Sequence, residues 1–287
     1  MKLLIVGSTD ILGQELVKQA LENIEVTSII AISGRNTAPP QVPSGVSKLV
    51  TCALPEKTQD WQRLDIDASA MGACIWNIKP GRSGSNNKPD YYDQVYHLDE
   101  IRYGMEWIAR RRGPNFTIPA FAEVTPLRFI YVSSSRARVL EKVNKPPTSR
   151  SIQGVGEQRV LSSARDLSGH VQACVAKSGH IIRLGDGKGL KEMVHTAGSW
   201  VRDGLKGRLP RIQVEKAAAA LLDKAITGNH PETLYNRDLI RIGEMALRDP
   251  EDLVTDEQAE QTSGQAGDAD EQEEEAGKQA AQTIQEV

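Results

Sequence analysis

Only three cysteines occur in 287 residues, Cys52, Cys74 and Cys174, and no two of them form a Cys-x-x-Cys pair. That count excludes a disulfide framework and a zinc knuckle, so a reducing, cytoplasmic setting is expected. The histidines are equally sparse. His97, His170, His180, His195 and His230 lie far apart, and no two have helical i, i+4 spacing. No metal is therefore expected. No apolar run approaches the 18 or so residues of a membrane span. The first apolar run, Leu3 to Val6, is shorter than the roughly 7 to 15 residues of a signal-peptide core. It reads as a strand. Aromatic residues make up 5% of the chain and the net charge is -3, which does not describe a nucleic-acid binder.

Charge is present in quantity, but unevenly. Residues 251–287 hold 12 acidic residues and one basic one, Lys278, whereas 1–250 hold 34 basic and 26 acidic. The acidic stretch has no aromatic residue and little apolar surface with which to offset the entropy of ordering. Residues 249–287 are expected to be a disordered tail, with contact to a basic partner as the alternative role. Arg110-Arg111-Arg112 reads as the cationic end of a helix, where positive charge opposes the dipole.

In the body, apolar runs alternate with helical periodicity. Strands are expected at 3–6, 26–33, 46–50, 73–78, 128–133 and 171–177. Helices are expected after Gly13 and over 91–112, 156–166 and 216–226. Residues 233–242 are expected to give a last strand and a helical turn. The strands are near-continuously apolar, as in a parallel sheet covered on both faces. The fold expected is α/β: a doubly wound, Rossmann-like parallel sheet. A small substrate-covering part should follow, with a Gly-rich lid in the region of about 185–235. The folded domain should span 1–248. Loops 79–89, 134–153 and 185–209 are expected to line the pocket.

The junction of the first strand and helix reads Gly7-Ser8-Thr9-Asp10-Ile11-Leu12-Gly13. Such a turn aims backbone N–H groups and a helix N-terminus into the sheet's crevice, where a dinucleotide pyrophosphate fits. Gly7, Thr9, Asp10, Ile11, Leu12 and Gly13 are the candidate cradle. Asp10 departs from it: its carboxylate brings negative charge and a Cβ to the point of phosphate approach, while also suiting a helix cap. Arg35, after the second strand, sits where the adenosine ribose is read. A cation there favours the 2′-phosphate of NADP. Asn77, at the end of the fourth strand, is a candidate ribose or substrate contact, and Trp76 a core residue.

The strings MKLLIVGSTDILGQELVKQAL, TSIIAISGR, ACIW, RFIYVSS, VQACVAKSGHI and LYNRDLIRIG resemble the fungal NmrA-like, NAD(P)-binding family of atypical short-chain dehydrogenase/reductases. The resemblance covers about residues 1–248. It implies a Rossmann domain and an oxidoreductase, regulator or secondary-metabolism protein. A carbonyl reductase of that superfamily uses a Tyr, a Lys four residues on, and a Ser at the end of the preceding strand. Ser133 or Ser134 matches the Ser. No Tyr here is followed by Lys at the fourth position, and the segment TSRSIQGVGEQRVL contains neither residue. In Lys177-Ser178-Gly179-His180, Ser178 replaces the family's Pro, which implies a softer loop. His180 and Lys177 are candidate acid/base or anion-binding groups.

Three functions follow. The first is an NADP(H)-dependent oxidoreductase acting on a small organic molecule. The second is a cofactor-free isomerase, cyclase or lyase using Asp10, Ser133, Lys177 and His180. The third is a non-catalytic regulator. Partners are a small-molecule substrate, with no nucleic acid and no membrane, in a monomer or homodimer.

Overall fold

The computed structural model describes residues 1–34, 37–38, 46–55, 58–78, 91–112, 125–138, 149–167, 169–183, 210–228 and 231–248, with the backbone alone at 91–97 and 149. The chain divides into two units, Met1–Ala246 and Leu247–Val287, and the fold is that of the first. Arg35, the loop 79–89, most of the loop 134–153, the glycine-rich 185–209 and the acidic tail lie outside the described residues.

Nine strands are described: β1 (Lys2–Val6), β2 (Ser28–Ile32), β3 (Leu49–Cys52), β4 (Met71–Trp76), β5 (Leu127–Ser134), β6 (Val171–Ser178), β7 (His180–Ile182), β8 (Arg211–Gln213) and β9 (Thr233–Tyr235). The helices are α1 (Ile11–Glu22), α2 (Tyr91–Arg111), α3 (Ser149–Asp166), α4 (Val214–Thr227) and α5 (Asn236–Ala246), with a 3-10 turn at Thr58–Arg63. Seven strands form one sheet in the order β3-β2-β1-β4-β5-β6-β9. Every pairing in it is parallel. Strand order reverses between β1 and β4, which opens a crevice beyond their carboxyl ends.

Successive side chains of a strand point to opposite faces, and here both faces are covered. Leu3 and Ile5 join one apolar cluster with Leu12 and Leu16 of α1, Ala218 and Leu221 of α4 and Leu239 of α5. Leu4 and Val6 join the other, with Ile101, Met105 and Ile108 of α2 and Val160 of α3. Burying each such side chain stabilises the fold by about 1.5–3 kcal/mol. A sheet buried on both sides is the reason the strands read as unbroken apolar runs. The doubly wound class expected from the sequence is the one observed.

Several boundaries differ from expectation. The third strand is Leu49–Cys52, because Ile29 pairs with Leu49 and places the apolar residues in register with β2. Helix α3 begins seven residues before Gly156. Glycines at 154 and 156 lower the helical propensity of this stretch, but packing requires the second: a Cβ on Gly156 would come within 2.9 Å of the Tyr131 hydroxyl. Residues 236–246 form a full amphipathic helix with Leu239 and Ile242 buried. Much of the expected lid region belongs to the body. Helix α4 is core and β9 joins the main sheet. The segment expected as a lid is flanked by β7 and β8, which pair in parallel as a two-stranded sheet.

Candidate functional site

The turn after β1 is fixed from three sides. Gly7 has φ +88°, and a Cβ there would lie 2.5 Å from the Asn77 carbonyl oxygen. Gly13 faces Gly7, whose oxygen would be 2.1 Å from an added Cβ. These two glycines are demanded by the chain's own packing of α1 onto the ends of β1 and β4. The Gly7 and Ser8 N–H groups and the Ser8 hydroxyl all donate to the Ile32 carbonyl at the end of β2. Gly34 N–H donates to Thr9 Oγ1 at 2.9 Å. The turn is therefore tied to the end of β2, one residue before Arg35.

Asp10 is the N-cap of α1, with extended backbone (φ −81°, ψ 174°). Its conformation needs no glycine. Oδ1 accepts from the Gly13 N–H at 2.7 Å and from Asn77 Nδ2 at 2.7 Å. Such a cap stabilises a helix by about 0.5–2 kcal/mol. Asn77 is buried, and its amide nitrogen also reaches the Gly7 carbonyl oxygen at 3.4 Å. Both partners are acceptors, so the amide nitrogen must face them. Asn77 Oδ1 is then left buried without a donor. The residue expected to contact a ligand spends its donors inside the protein and keeps one acceptor in reserve.

A second polar cluster lies at the carboxyl ends of β5 and β6. Ser133 and Lys177 are register partners on adjacent strands. Glu157 on α3 bridges them. The Ser133 hydroxyl donates to Glu157 Oε1 at 2.6 Å and Lys177 Nζ donates to Glu157 Oε2 at 2.7 Å. Lys177 also donates to the Ala137 carbonyl at 3.3 Å. Both charged side chains are largely buried, 17% and 13% exposed. Ser178, standing where the family has proline, donates its hydroxyl to the Ser133 carbonyl at 3.0 Å and so ties β6 to β5. Ser134 Oγ accepts from the Arg136 N–H at 3.2 Å, and Ser135 Oγ is buried with no partner. Beneath them Tyr131 is fully buried, and burial, then the Glu157 charge, hold its phenol protonated well above its usual range.

The structure thus groups Asp10 with Asn77, and Ser133 with Lys177. His180 stands exposed on β7, and no hydrogen bond joins its ring to either group among the described residues. Glu157 was not foreseen. Its one sequence signal is that α3 carries a single carboxylate before its last residue, Asp166. Trp76 is core, as expected, stacked on Trp61 with ring centroids 5.5 Å apart. Among the described residues no group of three or more His, Cys, Asp or Glu is placed to hold a metal ion, and no helix is long and apolar enough to cross a membrane.

No protein-family model matches the sequence, an NmrA-like one included, and no curated protein matches it. Solved structures do match. The dTDP-glucose 4,6-dehydratase DesIV from Streptomyces venezuelae, with NAD and TYD bound, is 12% identical. It covers 85% of this chain and 80% of its own, with a TM-score of 0.53. The Bordetella bronchiseptica enzyme WbmF, in complex with NAD+, is 15% identical over 85% of this chain and 78% of its own, with a TM-score of 0.52. A UDP-glucuronic acid 4-epimerase from Bacillus cereus, in complex with NAD, is 13% identical over 82% and 77%, with a TM-score of 0.50. At this identity the likeness is one of fold. The chain has the α/β Rossmann-like fold on which those epimerases and dehydratases are built. These matches do not single out the fungal NmrA-like group.

Proposed function

We propose that this chain binds a dinucleotide of the NAD(P) type and is an oxidoreductase-like enzyme of small organic molecules, sugar-like ones among them, related to the extended short-chain dehydrogenases. One observation carries the reading. The glycine turn of β1–α1 sits at the reversal of strand order and is bonded to the ends of β2 and β4, where this fold holds such ligands. The orphaned, buried Asn77 Oδ1 fits a ribose hydroxyl or an amide N–H. The backbone N–H groups of Thr9, Ile11 and Leu12 would hold the diphosphate, with Gly7 and Gly13 shaping the turn while their own N–H groups stay on Ile32 and Asp10, and Asn77 Oδ1 would take an adjoining donor. When bound, the cofactor supplies or accepts hydride. Ser133 would orient a substrate oxygen. The Ser133 hydroxyl, which donates to Glu157, would accept from a substrate hydroxyl, and Glu157, paired with Lys177, would draw that proton away in the place of the absent Tyr–Lys pair. The finer reading, NADP and fungal secondary metabolism, rests on Arg35 and the NmrA-like resemblance.

A second reading is favoured by Asp10. Its carboxylate already takes the Gly13 N–H and the Asn77 amide, and so does for the helix N-terminus what a phosphate would. A cofactor-free enzyme or a non-catalytic regulator would keep the fold in this way. Calorimetric titration of NADH and NADPH into the protein and into Asp10→Gly separates the two. The first reading expects measurable binding by the unmodified protein, at least tenfold tighter in the variant. Binding only by the variant moves the function to the second reading. Silence from both proteins removes the dinucleotide altogether.

A further inference from the structure

The positive charge of residues 1–250 is not spread evenly along them. Segments 79–89, 134–153 and 185–209 hold 13 basic and 4 acidic residues. The rest of 1–250 holds 21 basic and 22 acidic residues, so these three segments carry the whole excess. The first two follow β4 and β5, and the third follows β7, which leaves the end of β6 after one residue. The chain therefore enters each of them from the carboxyl edge of the sheet, where the crevice opens.

The described residues of that edge have the same polarity. Just past β5 the Arg138 N–H donates to the Arg150 carbonyl at 3.2 Å, which sets Arg138 beside the first turn of α3. Both side chains are exposed, and neither has a carboxylate partner among the described residues. The first turn of α3 has no acidic residue. Ala137, next to Arg138, accepts from Lys177 Nζ at 3.3 Å, so the arginine pair adjoins the Ser133–Glu157–Lys177 cluster. Glu157 is engaged by Lys177. Asp238 of α5 accepts from the Tyr235 N–H at 2.9 Å. Asp10 lies at the β1–β4 end, held by Gly13 and Asn77. The crevice is thus negative at the glycine turn and positive beyond β5.

We propose that the molecule on which this site acts carries a compact oxyanion, a carboxylate or a phosphate, which Arg138 and Arg150 hold away from Asp10. Guanidinium forks match such a group in geometry and charge. A field of one sign over the mouth also draws the anion in. That the bound molecule is the substrate rests on the enzyme reading above, whereas the anion site itself does not.

The test is calorimetric titration of malonate, inorganic phosphate and glycerol into the full chain at low ionic strength, with NADH titrated separately. Malonate or phosphate is expected to bind and glycerol is not, and the tighter of the two oxyanions names the source. Arg138→Gln/Arg150→Gln should weaken that binding at least fivefold. Arg63→Gln/Arg110→Gln removes the same charge from exposed side chains elsewhere, and should change it less than twofold. Circular dichroism checks the fold of both variants. Absence of oxyanion binding, an unchanged affinity in the first variant, or equal weakening by both would each overturn the proposal. NADH binding beside such a result leaves the dinucleotide reading standing. Oxyanion binding without NADH binding supports the anion site and removes the dinucleotide.

Discussion

Gly7 and Asp10 occupy the same turn under opposite constraints. Gly7 is held at φ +88° against the Asn77 backbone, so a methyl group meets both a left-handed conformation and a contact at 2.5 Å. Gly7→Ala is expected to lower stability by at least about 2 kcal/mol, read from the urea midpoint. Asp10 has ordinary backbone, and its effect is electrostatic. Asp10→Asn keeps an N-cap oxygen and removes the charge, so it should change stability by less than about 1 kcal/mol while changing nucleotide affinity. Paired urea and calorimetric titrations check that split.

Helix α3 is attached to β5 and β6 through one carboxylate. Removing Glu157 leaves the Lys177 ammonium without its counter-charge and the Ser133 hydroxyl without its acceptor. Glu157→Ala is expected to cost about 3 kcal/mol in chemical denaturation. A Glu157→Leu/Lys177→Met double variant should recover most of that, because no buried charge is left over. Loss of the same magnitude in the double variant would mean the pair contributes more than mutual neutralisation. The end of α4 follows a similar logic. Gly228 closes the helix at φ +69°, and the Arg128 guanidinium caps the last carbonyls, Ala225 and Ile226. This contact joins α4 to β5 across the sheet face, and it is invisible in the spacing of the sequence.

At the scale of the whole folded unit, the buried thiols make stability depend on alkaline pH. Burial pushes the Cys52 thiol up to about 11 and the Cys174 thiol up to about 12, from an ordinary value of 9.0, and Cys74 is raised as well. The folded pKa values lie above the unfolded one. Above pH 9 the unfolded chain therefore binds fewer protons than the native one, and stability falls as pH rises. The contribution is fully present below pH 9 and should decline as pH rises from 9 towards 12. Urea midpoints measured from pH 7 to 11 test this, with Cys174→Ala reducing the slope. A chain ending at residue 248 is expected to keep the melting temperature of the full chain, because the residues beyond it have the composition of a segment that buries little.

Strand and helix types were legible from the sequence because a doubly covered parallel sheet imposes unbroken apolar runs, and α1 imposes a cap and a glycine at fixed places. The glycine turn, its capping Asp10 and the missing Tyr–Lys pair were equally local, each within a dozen residues of chain. What tertiary structure decided is what side chains distant in sequence do to one another. Asn77 turned inward to Asp10 across 67 residues, Glu157 joined Ser133 to Lys177, and Trp61 met Trp107. Spacing encodes a helix face or a strand face, whereas the meeting of two elements depends on sheet order and register. Those emerge only when the apolar faces have found each other.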